Sequence, residues 1–148
     1  MKILSQRNKF WANIKLGSSN LTLGRYGCTT TCISMLSDYF GAFFNPDTLA
    51  RNVKLYTSDG LIIWKNLMVA NFKFERREYG RNDTEIMKAL KDPNRAVILE
   101  VANHSHWVVC IGKTLFGNYK IADPWFGDIS TMARYKNDIT GAAYFQRL

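Results

Sequence analysis

The chain predicts an α+β fold, with helices first and packed on one side of a later antiparallel sheet. Three observations carry that expectation. Between residues 28 and 40 apolar residues recur every three or four positions, the stripe of an amphipathic helix. After Pro93 the period changes to short apolar runs rich in strand formers. No Gly/Ser-rich or Pro-rich stretch divides the 148 residues, and 47% hydrophobic content suits one domain with a proper core.

The first helix carries Cys28, Cys32, Met35/Leu36 and Tyr39 on its stripe and ends at Gly41, which can supply a left-handed cap. Asn45-Pro46-Asp47 opens a short second helix, because proline suits a first helical turn. Leu61, Trp64 and Leu67/Met68 predict a third helix over 61–72. A fourth begins near Asn82-Asp83, with Glu85 at capping-box spacing and Ile86, Met87, Ala89 and Leu90 behind it. Strands are expected over 96–101, 106–111, 118–123 and 142–147.

Twenty basic residues against twelve acidic ones give a net charge of +8. Such a balance favours encounter with polyanions: nucleic acid, anionic lipid or an anionic cell wall. The bases are scattered, apart from a small cluster at Glu75-Arg76-Arg77 and Gly80-Arg81, and no nucleic-acid-binding motif accompanies them. The opening Met1-Lys2-Ile3-Leu4-Ser5-Gln6 lacks the apolar stretch of a signal peptide, and no run approaches the roughly 20 apolar residues of a transmembrane span. The expectation is a soluble protein made in the cytoplasm, reaching any outside target by another route. Cys28, Cys32 and Cys110 are too few, and odd in number, for a disulfide framework.

Cys28, His106 and Asp123 occur in the order a thiol hydrolase needs. A thiol is a useful nucleophile only as thiolate, and a helix N-terminus together with an imidazolium lowers its pKa. If residues 113–118 connect two strands with Gly112 facing Tyr119, Val108 lies opposite Asp123 and His106 opposite Trp125. His106, Val108, Tyr119, Ile121 and Asp123 then share a face, with Asp123 diagonal to His106 and able to orient the ring. Cys32 and Cys110 read as core, and His104 as the end of the preceding loop. A zinc site from Cys28, Cys32, His104, His106 and Cys110 is the rival. The three-residue Cys–Cys gap inside a helix disfavours it, so neither metal nor cofactor is expected.

Ser5-Gln6 with Trp11, Tyr26-Gly27-Cys28, Asp38-Tyr39-Phe40-Gly41, Asn45-Pro46-Asp47-Thr48-Leu49, His106-Trp107-Val108-Val109 and Asp123-Pro124-Trp125 together span nearly the whole chain. In that order they resemble the papain-like cysteine peptidases, in particular the bacteriocin-processing (double-glycine) peptidase-like family. The resemblance implies a papain-like fold, with Cys28 as nucleophile and His106 as general base. It further implies that Asp123 orients the histidine and that Gln6 joins the Cys28 N–H in the oxyanion hole. Thr29-Thr30-Thr31 departs from the Gly-Pro or small residue that often follows the family's cysteine, and the Gln6-to-Cys28 gap is long. Stand-alone relatives include enzymes that cut cell-wall peptides. With the positive charge, the expected activity is hydrolysis of a peptide or isopeptide bond, with peptidoglycan cleaved by an endopeptidase of bacterial or phage origin. The alternative is a non-catalytic binding or structural module that keeps the papain-like shell within a larger assembly.

Overall fold

The computed structural model describes residues 1–148. Its centre is one seven-stranded sheet in which every neighbouring pair is antiparallel. The strands are β1 (Met68–Val69), β2 (Phe72–Tyr79), β3 (Arg95–Val101), β4 (His106–Lys113), β5 (Tyr119–Asp123), β6 (Asp128–Thr131) and β7 (Ile139–Arg147), in the spatial order β1-β2-β7-β3-β4-β5-β6. The helices are α1 (Leu23–Tyr26), α2 (Cys28–Tyr39), α3 (Pro46–Ala50) and α4 (Asp83–Lys91). The expected α+β class holds, and α2, α3 and α4 form where the sequence predicts them. No helix is long and apolar enough to cross a membrane.

Strand alternation sorts the buried side chains into two cores, one on each face of the sheet. Ile98, Trp107, Val109, Ala122, Ala143 and Phe145 face α2, whose Cys32, Ile33, Met35 and Leu36 cover them. Val97, Leu99, Val108, Ile121, Ala142 and Tyr144 face the other way, against Ile86 and Ala89 of α4. Helices therefore cover both faces, which corrects the expectation that they lie on one side. The physical reason lies in α4: its own apolar stripe has to be buried, and the face behind α2 is the one left open.

The expected helix over 61–72 does not form. A single 3-10 turn at Trp64–Asn66 leads into a hairpin in which Val69 pairs with Phe72. The apolar spacing there serves aromatic stacking: Trp64 packs on Phe74 at 5.5 Å and Phe74 on Phe145 at 6.0 Å. β2 has no clear signal in the sequence because a bulge between Phe74 and Arg76 interrupts its alternation and charged residues fill its second half. Those charges are spent locally. Arg76 pairs with Glu75, Glu78 and Glu85, Arg95 with Glu75, and Arg81 with Asp83. The cluster at 75–81 is therefore an internally balanced network rather than a free basic face. At α4 only half of the capping box is made: Asn82 accepts from the Glu85 N–H, while the Glu85 carboxylate turns to Arg76 and Lys88.

Candidate active site

Local sequence places the cysteine at the start of α2. Gly27 is the N-cap, and a Cβ there would run into the Leu23 carbonyl of α1, so the tight α1–α2 junction needs glycine. The N–H groups of Cys28, Thr29 and Thr30 have no helical partner, as in any first turn, whereas Thr31 closes onto the Gly27 carbonyl at 2.9 Å. A thiolate at this end of a twelve-residue helix meets its positive pole.

His106 arrives from the sheet. It opens β4 as the last pair of the β3–β4 hairpin, opposite Val101. The loop before it holds three consecutive left-handed residues, Ala102, Asn103 and His104, at φ of 54°, 54° and 66°. Such a backbone costs on the order of 1 kcal/mol or more per residue and persists only when its surroundings enforce it. Here the Asn103 N–H donates to Asp138 at 3.1 Å, and His104 pairs with Glu100 at 2.8 Å. Glu100 is buried and also holds Arg77 at 2.7 Å and the Thr140 hydroxyl at 2.9 Å. His104 is thus a tether of the loop.

The hairpin register assumed from the sequence holds where it matters. Val109 pairs with Ala122 and Cys110 with Ile121, the offset that brings Asp123 diagonal to His106. Only the far end slips: a bulge between Cys110 and Gly112 sets Gly112 against Lys120 and Lys113 against Tyr119. His106 Nε2 meets Asp123 Oδ1 at 2.9 Å. Asp123 is fully buried, and both of its oxygens are occupied. Oδ1 also accepts the Trp125 N–H at 3.0 Å, and Oδ2 accepts from Arg134 at 3.0 Å and from the Tyr135 hydroxyl. Burial would raise this carboxyl, but its donors, His106 first, hold it down to about 2.

The Cys28 thiol and the His106 ring line the same cavity and act on each other's pKa. Burial pushes Cys28 up, but the His106 hydrogen bond and charge, with the Trp107 backbone and the Thr29 side chain, bring it below its ordinary value. Burial alone would lower His106; Asp123 and Cys28 together lift it to about 9. These opposite shifts are those of a thiolate–imidazolium pair.

The other two cysteines differ. Cys32, one turn along α2, is sealed in the core with its sulfur 3.5 Å from the Trp107 carbonyl, and burial drives its pKa well up. Cys110 lies in the opposite core, and burial lifts it to about 12. With His104 held by Glu100, the five candidate zinc ligands do not converge.

Gln6 is brought in by the N-terminal segment. Its N–H donates to the Pro124 carbonyl at 2.8 Å, which ties residue 6 to the turn just after Asp123. The side chain is buried, and Nε2 donates to the Gly24 carbonyl at 3.2 Å. An amide nitrogen carries two protons, so Nε2 keeps one beyond the Gly24 bond, and Gln6 lines the cleft together with Cys28 and His106. Arg134 and Tyr135, which secure Asp123, were not anticipated. They sit on a 3-10 turn (Met132–Tyr135) that carries no periodic signal.

Cys28 lies between two cavities. One, of about 370 Å³, is walled by Tyr56, Trp64 and Trp107 with Arg77, Glu100 and His104. The other, of about 430 Å³, is walled by Gln6, Arg25, Tyr26, Trp125 and Phe126. A cleft passing on both sides of a nucleophile suits an extended chain bound across it. Compared with protein-family models and with curated proteins, the chain matches none.

Proposed function

We propose that this protein is a cysteine hydrolase of papain-like design that cleaves a peptide or isopeptide bond through an acyl-enzyme. One observation carries the reading. The His106 ring is held by Asp123 at Nε2 and borders the Cys28 thiol, while the remaining two thiols are shut away. Since Nε2 is engaged, Nδ1 is the atom that takes the proton of Cys28.

The thiolate attacks the scissile carbonyl carbon, and the carbonyl oxygen gains the negative charge. The Cys28 N–H and the free Gln6 amide proton are the donors for it. His106 passes its proton to the leaving amine as the C–N bond breaks, leaving a thioester on Cys28. Water, deprotonated by His106, attacks that thioester and releases the carboxylic acid, and the Cys28–His106 pair is restored. Asp123 keeps the ring in one orientation throughout and stays ionised.

The net charge of +8 supports an anionic matrix as the place of action. On that ground, and on the resemblance, peptidoglycan peptides are the substrate we favour, cut by an endopeptidase of bacterial or phage origin. The test compares wild type with Cys28→Ala on purified peptidoglycan and on a peptide library, counting new amino termini. The variant should lose at least about 10⁴-fold in rate. Identical behaviour of the two proteins on every substrate ends the hydrolase reading. The non-catalytic alternative predicts slow iodoacetamide labelling at Cys28 or equal labelling of all three cysteines.

A further inference from the structure

The two halves of the cleft carry different charge balances. In the Trp64/Trp107 half the arginine is spent: Arg77 pairs with Glu100 at 2.7 Å, and His104 meets the same carboxylate. In the Gln6 half no carboxylate lines the wall, because Asp123 is fully buried behind His106 with both oxygens occupied. Arg134, stacked over Phe126 at 4.3 Å, is neutralised by Asp128 and Asp123.

Two arginines of this half are not neutralised. Arg25 lines the wall and makes no ion pair or hydrogen bond; its guanidinium lies 5.7 Å from the Tyr26 ring centre. Arg7 is exposed and held on a wall residue of this half, 4.4 Å over the Trp125 ring, with Nε donating to the Trp125 carbonyl at 2.8 Å and no carboxylate on its other nitrogens. A guanidinium held on an aromatic face keeps its outer N–H groups free for a carboxylate. The neighbouring Tyr26, Trp125 and Phe126 offer apolar surface to the stem of such a group.

We propose that the Gln6 half of the cleft binds a carboxylate-bearing residue of the substrate, with Arg25 and Arg7 as its specificity-determining contacts. This rests on the hydrolase reading above and adds to it the chemistry of the residue beside the scissile bond. The opposite half, internally balanced, takes a neutral residue against its aromatic wall.

Alkylation of Cys28 by small reagents of defined charge tests this whatever the natural substrate is. Bromoacetyl-Glu-amide and bromoacetyl-Gln-amide differ in one charge, and iodoacetamide reports the thiolate alone. In wild type at low salt the Glu reagent should react about three to five times faster than the Gln reagent, a ratio that falls towards one in 0.5 M NaCl. Arg25→Gln with Arg7→Gln should abolish the preference when each Glu and Gln rate is taken relative to that protein's own iodoacetamide rate. Arg25→Glu should invert it, and Lys120→Gln, outside the cleft, should preserve it. An equal Glu/Gln ratio in wild type and the double variant, with fast iodoacetamide labelling, overturns the carboxylate subsite but leaves the hydrolase reading standing. Slow iodoacetamide labelling of wild-type Cys28 overturns both.

Discussion

Two thiols stand one turn apart on α2 and have opposite fates. Cys28 borders the cleft, and Cys32 is sealed in the core. Burial raises the pKa of both, so burial cannot distinguish them. What distinguishes them is the imidazolium and the free helix end: Cys28 has both, whereas Cys32 meets a carbonyl and the repulsion of Cys28 and Asp123. The lesson concerns one helical turn. A shift of about 6 Å along a helix axis, four residues at 1.5 Å each, separates a nucleophile from filler.

The largest disturbance of that contrast should come from His106→Gln. Without the imidazolium, burial acts unopposed on Cys28. Its iodoacetamide labelling at pH 7 should then fall by at least about tenfold, towards the rate of Cys32. Labelling that stays fast would mean the helix end alone activates the thiol.

Asp123→Asn should act next, through the imidazole. The ring loses the charge that helps hold its pKa near 9. The alkaline limb of the pH–rate profile, where the imidazolium loses its proton, should therefore move down towards the ordinary 6.5. A limb that does not move would place the dominant influence on His106 at Cys28.

A smaller effect concerns stability in acid. The Asp123 carboxyl has a folded pKa of about 2 against an ordinary value of 3.8. Its contribution is thus fully present above pH 3.8 and lost as pH falls through about 2. Urea midpoints of wild type should decline over that window, and those of Asp123→Asn should decline less steeply.

Smallest of all should be Cys32→Ala. It removes a buried sulfur and should cost about 1 kcal/mol in urea unfolding, while the labelling profile of Cys28 remains as in wild type. A changed profile would mean that the repulsion between the two thiols acts on Cys28 as well as on Cys32.

Much of the site was legible because its local signals agree. Tyr26-Gly27-Cys28 followed by an apolar stripe fixes a cysteine at a helix start, and strand periodicity around His106 and Asp123 brings those two within reach at the stated register. Illegible were the features that depend on distant partners. β2 hides behind charges whose partners include the distant Glu85, Glu100, Arg95 and the ring of Tyr144. Arg134 and Tyr135 carry no pattern that marks them as the clamp on Asp123. The apolar residues over 61–72 fit a helical spacing equally well, and the sheet edge claimed them.

From its residues alone this chain specified an antiparallel α+β architecture, a cysteine poised at a helix end and a histidine with a nearby acid. Those follow from periodicities of 3.6 and 2 and from glycine and proline punctuation, all of which act over a few residues. The pKa ordering of the three thiols, the double-sided core and the unequal charge of the cleft's halves arose only on folding. Each depends on which groups exclude water from which, or neutralise which, across tens of residues, and electrostatics at that range has no local signature.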